Sequence, residues 1–118
     1  MAMAKTIRYG EPTPLVWRGS EHVMVVEGGV DLLSAVVMGT RRTVIGLPGA
    51  RNWSEADAWI TSLSGKHVLL ATDDDEAGNS GAHDLQAVLK GLATTRRYQH
   101  RAGCKDLNDQ LRLESGIK

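Results

Sequence analysis

Acidic side chains follow two separate apolar runs of the chain. Residues 23–26 (Val-Met-Val-Val) lead directly into Glu27, and residues 68–72 (Val-Leu-Leu-Ala-Thr) lead into the three consecutive aspartates at 73–75. Carboxylate oxygens are the ligands that a hard cation such as Mg²⁺ prefers, and a bound Mg²⁺ commonly holds phosphate groups. The residue types therefore predict a divalent-cation site whose chemistry is directed at phosphate.

The two apolar runs predict the elements that position these acids. Both runs are short, aliphatic and without polar alternation, which is typical of strands covered on both faces. In an open parallel α/β sheet, ligands bind beyond the carboxyl ends of the strands. We therefore expect the two groups of acids to converge at one edge of such a sheet.

The rest of the chain alternates between strand-like and helix-like patterns from residue 21 onward. Four segments have strand character: 23–26, 43–47, 68–71 and 94–99. Helical apolar spacing occurs between them, and Asp106 or Asn108 is suited to cap a last helix. The alternation predicts a compact α/β, Rossmann-like fold with a roughly four-stranded, mainly parallel sheet and helices on both faces.

Residues 1–20 have a different character from the remainder. Pro12 and Pro14 are incompatible with a helix, and residues 6–9 or 15–17 would suit a short edge strand or a linker. We interpret residues 1–20 as an N-terminal extension or linker, and residues 21–118 as one folded domain.

Composition narrows the setting of the protein. The 118 residues fit one domain, and the formal net charge of zero provides no overall field to attract nucleic acid. Cys104 is the single cysteine, so no internal disulfide or single-chain zinc ribbon is available. No apolar stretch is long enough to span a membrane. We expect a cytoplasmic protein without a membrane partner.

The acids differ in how strongly they indicate a metal site. In an extended segment Asp73 and Asp75 project to the same side, which favours both as metal ligands over Asp74. Glu27 ends a buried strand, where a carboxylate has few structural uses. Asp31 would lie in the first turn of a helix, where favourable helix electrostatics and a functional role explain it equally well. A solvated acidic turn remains the alternative for residues 73–75.

Several basic residues are placed where they would help an acidic site to meet phosphate. Arg96, Arg97 and Lys105 lie late in the chain, and Arg51 follows the second strand. Alternate members of the arginine run would face opposite sides of a strand, so only some would reach a phosphate backbone. Solvated edge-strand charges, and a plain turn before Arg51, are the alternatives.

Three motifs in this order resemble those of the Toprim domain. They are Glu27-Gly28-x-x-Asp31, then Asp73-x-Asp75-x-Ala77-Gly78, then residues 105–109 (Lys-Asp-Leu-Asn-Asp). Toprim domains occur in primases, type IA and II topoisomerases, OLD-family nucleases and small RNA-processing nucleases. The resemblance covers about residues 21–115 and is greatest to bacterial and bacteriophage primases, including the primase-helicase type.

The resemblance implies a site and an activity. Asp73 and Asp75 would bind Mg²⁺ or Mn²⁺, Asp31 and Asp106 would be secondary ligands, and Glu27 would be a general acid or base or a further ligand. The activity implied is nucleotidyl transfer in DNA replication, with RNA primers made from nucleoside triphosphates on single-stranded DNA. Complete relatives also carry a zinc-binding module or a helicase.

Other functions remain open at this point. A Toprim-type nuclease would use the same metal site for phosphodiester cleavage, and a stand-alone Toprim module would bind DNA or RNA without turnover. Some primases carry a second aspartate where this chain has Asn108. A receiver-like phospho-acceptor domain is a weaker alternative, because it expects paired acids after the first strand and a lone aspartate after the third.

Overall fold

The computed structural model describes residues 14–48, 53 and 57–115, which form alternating strands and helices. The elements are β1 (Leu15–Trp17), β2 (Ser20–Glu27), α1 (Gly28–Val37), β3 (Arg42–Leu47), α2 (Ala58–Thr61), β4 (His67–Leu70), α3 (Glu76–Leu89), β5 (Thr94–Arg97) and α4 (Leu107–Glu114). None of the helices in these described ranges is long and apolar enough to cross a membrane.

The strands form one sheet in the order β1-β3-β2-β4-β5. The pairs β3·β2, β2·β4 and β4·β5 are parallel, while β1 is antiparallel to β3. The predicted α/β fold is therefore confirmed, with five strands where the sequence predicted about four. The additional strand is Leu15–Trp17, which belongs to the segment interpreted as an extension or linker. It forms an edge strand of the sheet.

The sheet is covered on both faces, and β2 contributes to both cores. Val23 and Val25 pack with side chains of α2 and α3, whereas Met24 and Val26 pack with side chains of α1 and α4. All four are buried. Burial on both faces is the physical reason that this run shows no polar alternation.

The parallel register brings the carboxyl ends of β2 and β4 to the same edge. Val25 is the partner of Leu70, and the backbone N–H of Ala71 continues the ladder by donating to the Val25 carbonyl at 2.7 Å. The chain beyond Ala71 therefore leaves the sheet beside Glu27, the last residue of β2. This edge is where the acids of both runs meet.

The turn between β4 and α3 folds tightly onto the first turn of α3 at Gly78. The Thr72 hydroxyl donates to the Gly78 carbonyl, and the Asp75 carboxylate accepts from the Gly78 N–H, both at 2.7 Å. A Cβ at Gly78 would overlap the backbone carbonyl of Asp73. The glycine at position 78 thus has a steric cause, because only glycine permits this close approach.

We predict that Gly78→Ala lowers the free energy of unfolding by roughly 2–4 kcal/mol, because backbone atoms rather than a flexible side chain must move. Gly29→Ala is the matched control, since its Cβ would meet only the end of the Leu15 side chain at 3.1 Å. Urea unfolding of the three proteins measures the difference. Equal losses in the two variants would contradict the steric explanation.

Candidate metal centre

Three carboxylates from distant parts of the chain converge at the carboxyl edge of the sheet. One ligand atom from each of Asp31, Asp73 and Asp106 lies within 4.8 Å of the other two. Asp31 is in the first turn of α1, Asp73 follows β4, and Asp106 caps the N-terminus of α4. Three carboxylates at this spacing could hold a hard divalent cation, which prefers oxygen ligands.

Asp73 is positioned through its backbone while one side-chain oxygen stays unpaired. Its N–H donates to Glu27 Oε1 at 3.0 Å, and its carbonyl accepts from Arg97 Nη2 at 3.0 Å. Its Oδ1 is buried and has no hydrogen-bond partner within the described ranges. A buried carboxylate oxygen without a donor is costly, and a bound cation would remove that cost. The residues present therefore fit a divalent metal.

Asp31 is the most buried member of the cluster, with 4% of its surface exposed. Burial first, and then the negative charge of Asp106, raise the pKa of Asp31 to about 7. The backbone N–H of Asn108 donates to Asp31 Oδ1 at 3.2 Å and partly offsets the shift. Burial is also the main cause of the raised pKa of Asp73, followed by the charge of Asp106. Both shifts come first from burial, which disfavours the charged carboxylate, and then from the nearby negative charge of Asp106.

The segment that carries Asp106 is fastened to the segment that carries Asp73. The Asp74 N–H donates to the Lys105 carbonyl at 2.6 Å, which joins the two loops directly. Asp106 Oδ1 accepts from the Asp109 N–H at 2.8 Å and so starts α4. One Asp106 oxygen thus has a structural use in capping, while the residue still contributes a ligand atom to the cluster.

Two further acids predicted as site residues lie beside the cluster rather than within it. Glu27 accepts the Asp73 N–H, and burial is the largest cause that raises its pKa, with the charges of Asp73 and Asp75 adding to it. Asp75 ends the extended segment, and its Oδ1 caps α3 through Gly78. Metal ligation by either residue, and acid or base catalysis by Glu27, stay predictions.

The Arg97 side chain stabilises the turn of residues 71–75 between β4 and α3. Its Nη1 donates to the carbonyls of Leu70 and Thr72, each at 2.9 Å, and its Nη2 donates to the carbonyl of Asp73 at 3.0 Å and to Asn79 Oδ1 at 2.7 Å. The guanidinium therefore binds carbonyl oxygens at the end of β4 and just beyond it, and the Leu70 carbonyl also accepts the Tyr98 N–H at 2.8 Å. These hydrogen bonds give Arg97 a structural role, and its contact with nucleic acid stays a prediction.

The other basic residues predicted near phosphate lie in different places. Lys105 is exposed, and its charge lowers the pKa of Asp73 without cancelling the rise. Arg96 projects from the opposite face of β5 to Arg97, as expected from strand alternation. Arg51 lies outside the described residues. Contacts of these residues with nucleic acid stay predictions.

Sequence reasoning did not identify the contacts by which His100 and Asn108 support the site. His100 Nε2 lies 2.7 Å from the Thr72 carbonyl, and its ring makes an edge contact with Tyr98 at 5.0 Å between centroids. Asn108 holds Asp31 through its backbone and accepts from the Ser34 hydroxyl through its side chain at 3.3 Å. The spacing of residues in the sequence does not predict these contacts. The contact with Thr72 and the contact with Asp31 each involve a backbone group, the Thr72 carbonyl or the Asn108 N–H, and each joins residues that are far apart in the chain.

The fold and this cluster define a class: a compact α/β domain with a mainly parallel sheet and an acidic, metal-compatible site at its carboxyl edge. The sequence model of the family described as Toprim-like matches residues 24–111, well over half of the chain. The chain therefore belongs to the Toprim-like family. No curated protein matches the chain. Toprim domains occur in metal-dependent nucleic-acid enzymes and bind nucleic acids.

We predict that the metal-free protein becomes less stable as the pH rises from about 4 to about 7. The folded state keeps a proton on Asp31 up to a pKa of about 7, whereas the unfolded chain releases it near its ordinary value of 3.8. The contribution is complete below pH 4 and is lost through this window, by roughly 2–4 kcal/mol.

Urea unfolding in EDTA at about pH 5 and about pH 8 measures this dependence in the wild type and in Asp31→Asn. The variant should show a clearly smaller pH effect, although not a flat one, because the raised pKa values of Glu27 and Asp73 act in the same direction. Identical pH effects in the two proteins would exclude Asp31 as the main source.

Proposed function

We propose that this chain is the catalytic Toprim domain of a primase-like enzyme that transfers nucleotides with Mg²⁺ or Mn²⁺. The observation that carries the proposal is the convergence of Asp31, Asp73 and Asp106, with a buried Asp73 oxygen that has no partner in the described part of the chain. The metal would be held by these three carboxylates, with Asp75 and Glu27 as further ligands from neighbouring positions.

The bound cation would stabilise negative charge on phosphate oxygens of the reacting nucleotide. Proton transfer and positioning of the site would depend on residues of the chain itself. Glu27, whose pKa is raised mainly by burial, would accept or return a proton beside Asp73. Arg97 and Gly78 would keep the aspartate turn rigid while substrate binds, because both are in contact with the Asp73 backbone.

The primase-like form of the activity is supported by the third motif. Residues 105–109 dock on the aspartate turn through the Lys105 carbonyl, so this late segment is part of the site rather than a separate tail. Nucleoside triphosphates and single-stranded DNA would be the substrates, and a zinc-binding module or a helicase would be the further domains. Phosphodiester cleavage and metal-dependent nucleic-acid binding without turnover are the competing functions of the same site.

We predict that Asp73→Asn weakens Mn²⁺ binding at least about tenfold in isothermal calorimetry, because it removes the charge of the carboxylate that has an unpaired buried oxygen. Asp31→Asn and Asp106→Asn should weaken binding as well, since both residues offer a ligand atom to the same cluster.

Asp74→Asn is the matched control for metal binding. It removes the same charge one position away, from an exposed side chain that, among the described residues, accepts only from Asn79, at 3.2 Å. Its Mn²⁺ affinity should stay within about threefold of the wild type, since long-range attraction alone is screened by salt. Equal affinities in wild type, Asp73→Asn and Asp74→Asn would exclude a metal site at this cluster.

We predict that the protein, incubated with Mn²⁺, nucleoside triphosphates and a labelled single-stranded template, makes short RNA products that Glu27→Gln reduces at least about a hundredfold. Denaturing gels separate the possible outcomes. Shortened template would indicate a nuclease, and metal binding without any product or cleavage would indicate a non-catalytic module. Either result would overturn the primase-like activity.

A further inference from the structure

A second candidate site lies at the opposite end of the sheet, on the face covered by α1 and α4. It is an open groove of about 330 Å³ whose lining includes His22, Arg42, His67, Leu69, Thr94 and Arg96. We call it the amino-end groove, because it begins at the amino ends of the strands, at His22, Arg42, His67 and Thr94. Leu69 and Arg96 extend it further along β4 and β5. No residue of α1 or α4 lines it. The two helices therefore leave this part of the face open.

Register and alternation explain why these side chains come together. His67 is the partner of Thr94, and Leu69 is the partner of Arg96, so the four side chains form two neighbouring rows on one face. Leu69 belongs to the core beneath α1 and α4, which identifies the face. Val44 belongs to the same core, and Arg42 lies two positions before it on β3, so the Arg42 side chain is on the same face of the sheet.

The groove is basic and its charges are not neutralised by neighbours. None of the described residues that line it is acidic. Neither Arg42 nor Arg96 forms an ion pair with any residue that the structure describes. The rings of His22 and His67 stack at 5.3 Å with an interplanar angle of 21°, which presents flat aromatic surface beside the two arginines. The protein's net charge of zero makes this local excess of positive charge notable.

We propose that the amino-end groove binds the sugar–phosphate backbone of a nucleic acid. The two guanidiniums would contact phosphates, the stacked imidazoles would meet a sugar or a base, and Leu69 would form the apolar floor. Arg42 and Arg96 lie on strands separated by three interstrand spacings, about 14 Å. This separation suits a chain that carries several phosphates better than one free phosphate ion.

The groove is separate from the candidate metal centre. None of the three aspartates of the metal centre lines the groove. His67 begins β4 and Asp73 follows that strand, so six steps of extended chain, roughly 20 Å, separate the far end of the groove from Asp73, whereas Leu69 at its near end is four steps away. Binding in the groove should therefore need no metal. The proposal goes beyond the primase-like activity and does not depend on it: a nuclease or a non-catalytic module would use the groove equally well.

The test is binding of a fluorescein-labelled single-stranded 20-mer, measured by anisotropy in EDTA at several salt concentrations. The wild type should bind, and the double variant Arg42→Gln/Arg96→Gln should bind at least about tenfold more weakly with a shallower salt dependence. Arg41→Gln/Arg112→Gln is the matched control, because it removes the same charge from exposed arginines that do not line the groove.

Each outcome is decisive. No binding by the wild type in EDTA, or equal losses in the two double variants, would overturn the proposal. Displacement of the 20-mer by millimolar inorganic phosphate would also overturn it, since a single-anion site would then suffice. Circular dichroism checks that the variants fold. The proposals for the groove and for the metal centre can be disproved independently. Asp73→Asn should retain metal-free binding of the 20-mer, and the double variant of the groove should retain its Mn²⁺ affinity.

Discussion

The central constraint on this structure is that the fold holds three carboxylates close together despite their mutual repulsion. Asp31, Asp73 and Asp106 lie within reach of one another, and burial raises the pKa of Asp31 and Asp73. Like charges that are close together at a partly desolvated site destabilise the folded protein. The cost is reversed when a divalent cation binds, because the same proximity then becomes a ligand set. The local instability of the metal-free site and its suitability for a metal therefore have one cause.

Such a site needs a rigid frame, and much of that frame is made by backbone groups. Arg97 donates to three backbone carbonyls at the end of β4 and just beyond it, and Glu27 accepts the N–H of Asp73. Gly78 lets the first turn of α3 approach the Asp73 carbonyl more closely than any side chain would allow. The aspartates are thus held at short range despite their repulsion. A charged cluster on a loose loop would relieve its repulsion by moving apart, and would lose its selectivity for small cations.

The two ends of the sheet present opposite chemistry to a nucleic acid. The carboxyl edge is acidic and would repel phosphate until a cation is bound, whereas the amino-end groove carries unpaired arginines and needs no metal. If both proposals hold, the groove would keep a polynucleotide on the protein while the metal centre exchanges its small substrates. Parallel topology makes this division natural, since all central strands start at one edge and finish at the other.

Local residue patterns were enough to predict the fold class and to single out the acids as candidates for a metal site. Aliphatic runs without polar alternation indicate strands buried on both faces, and Glu27 and Asp73 follow those runs, so their meeting at one edge could be inferred. The sequence by itself did not determine which carboxylates share one point. In the structure Asp75 caps α3 while Asp31 and Asp106 arrive from two helix starts. That choice depends on where each helix begins, to within one residue. The antiparallel β1, the backbone contacts of His100 and Asn108, and the amino-end groove likewise depend on register between distant strands and loops. Local residue patterns carry no record of that register.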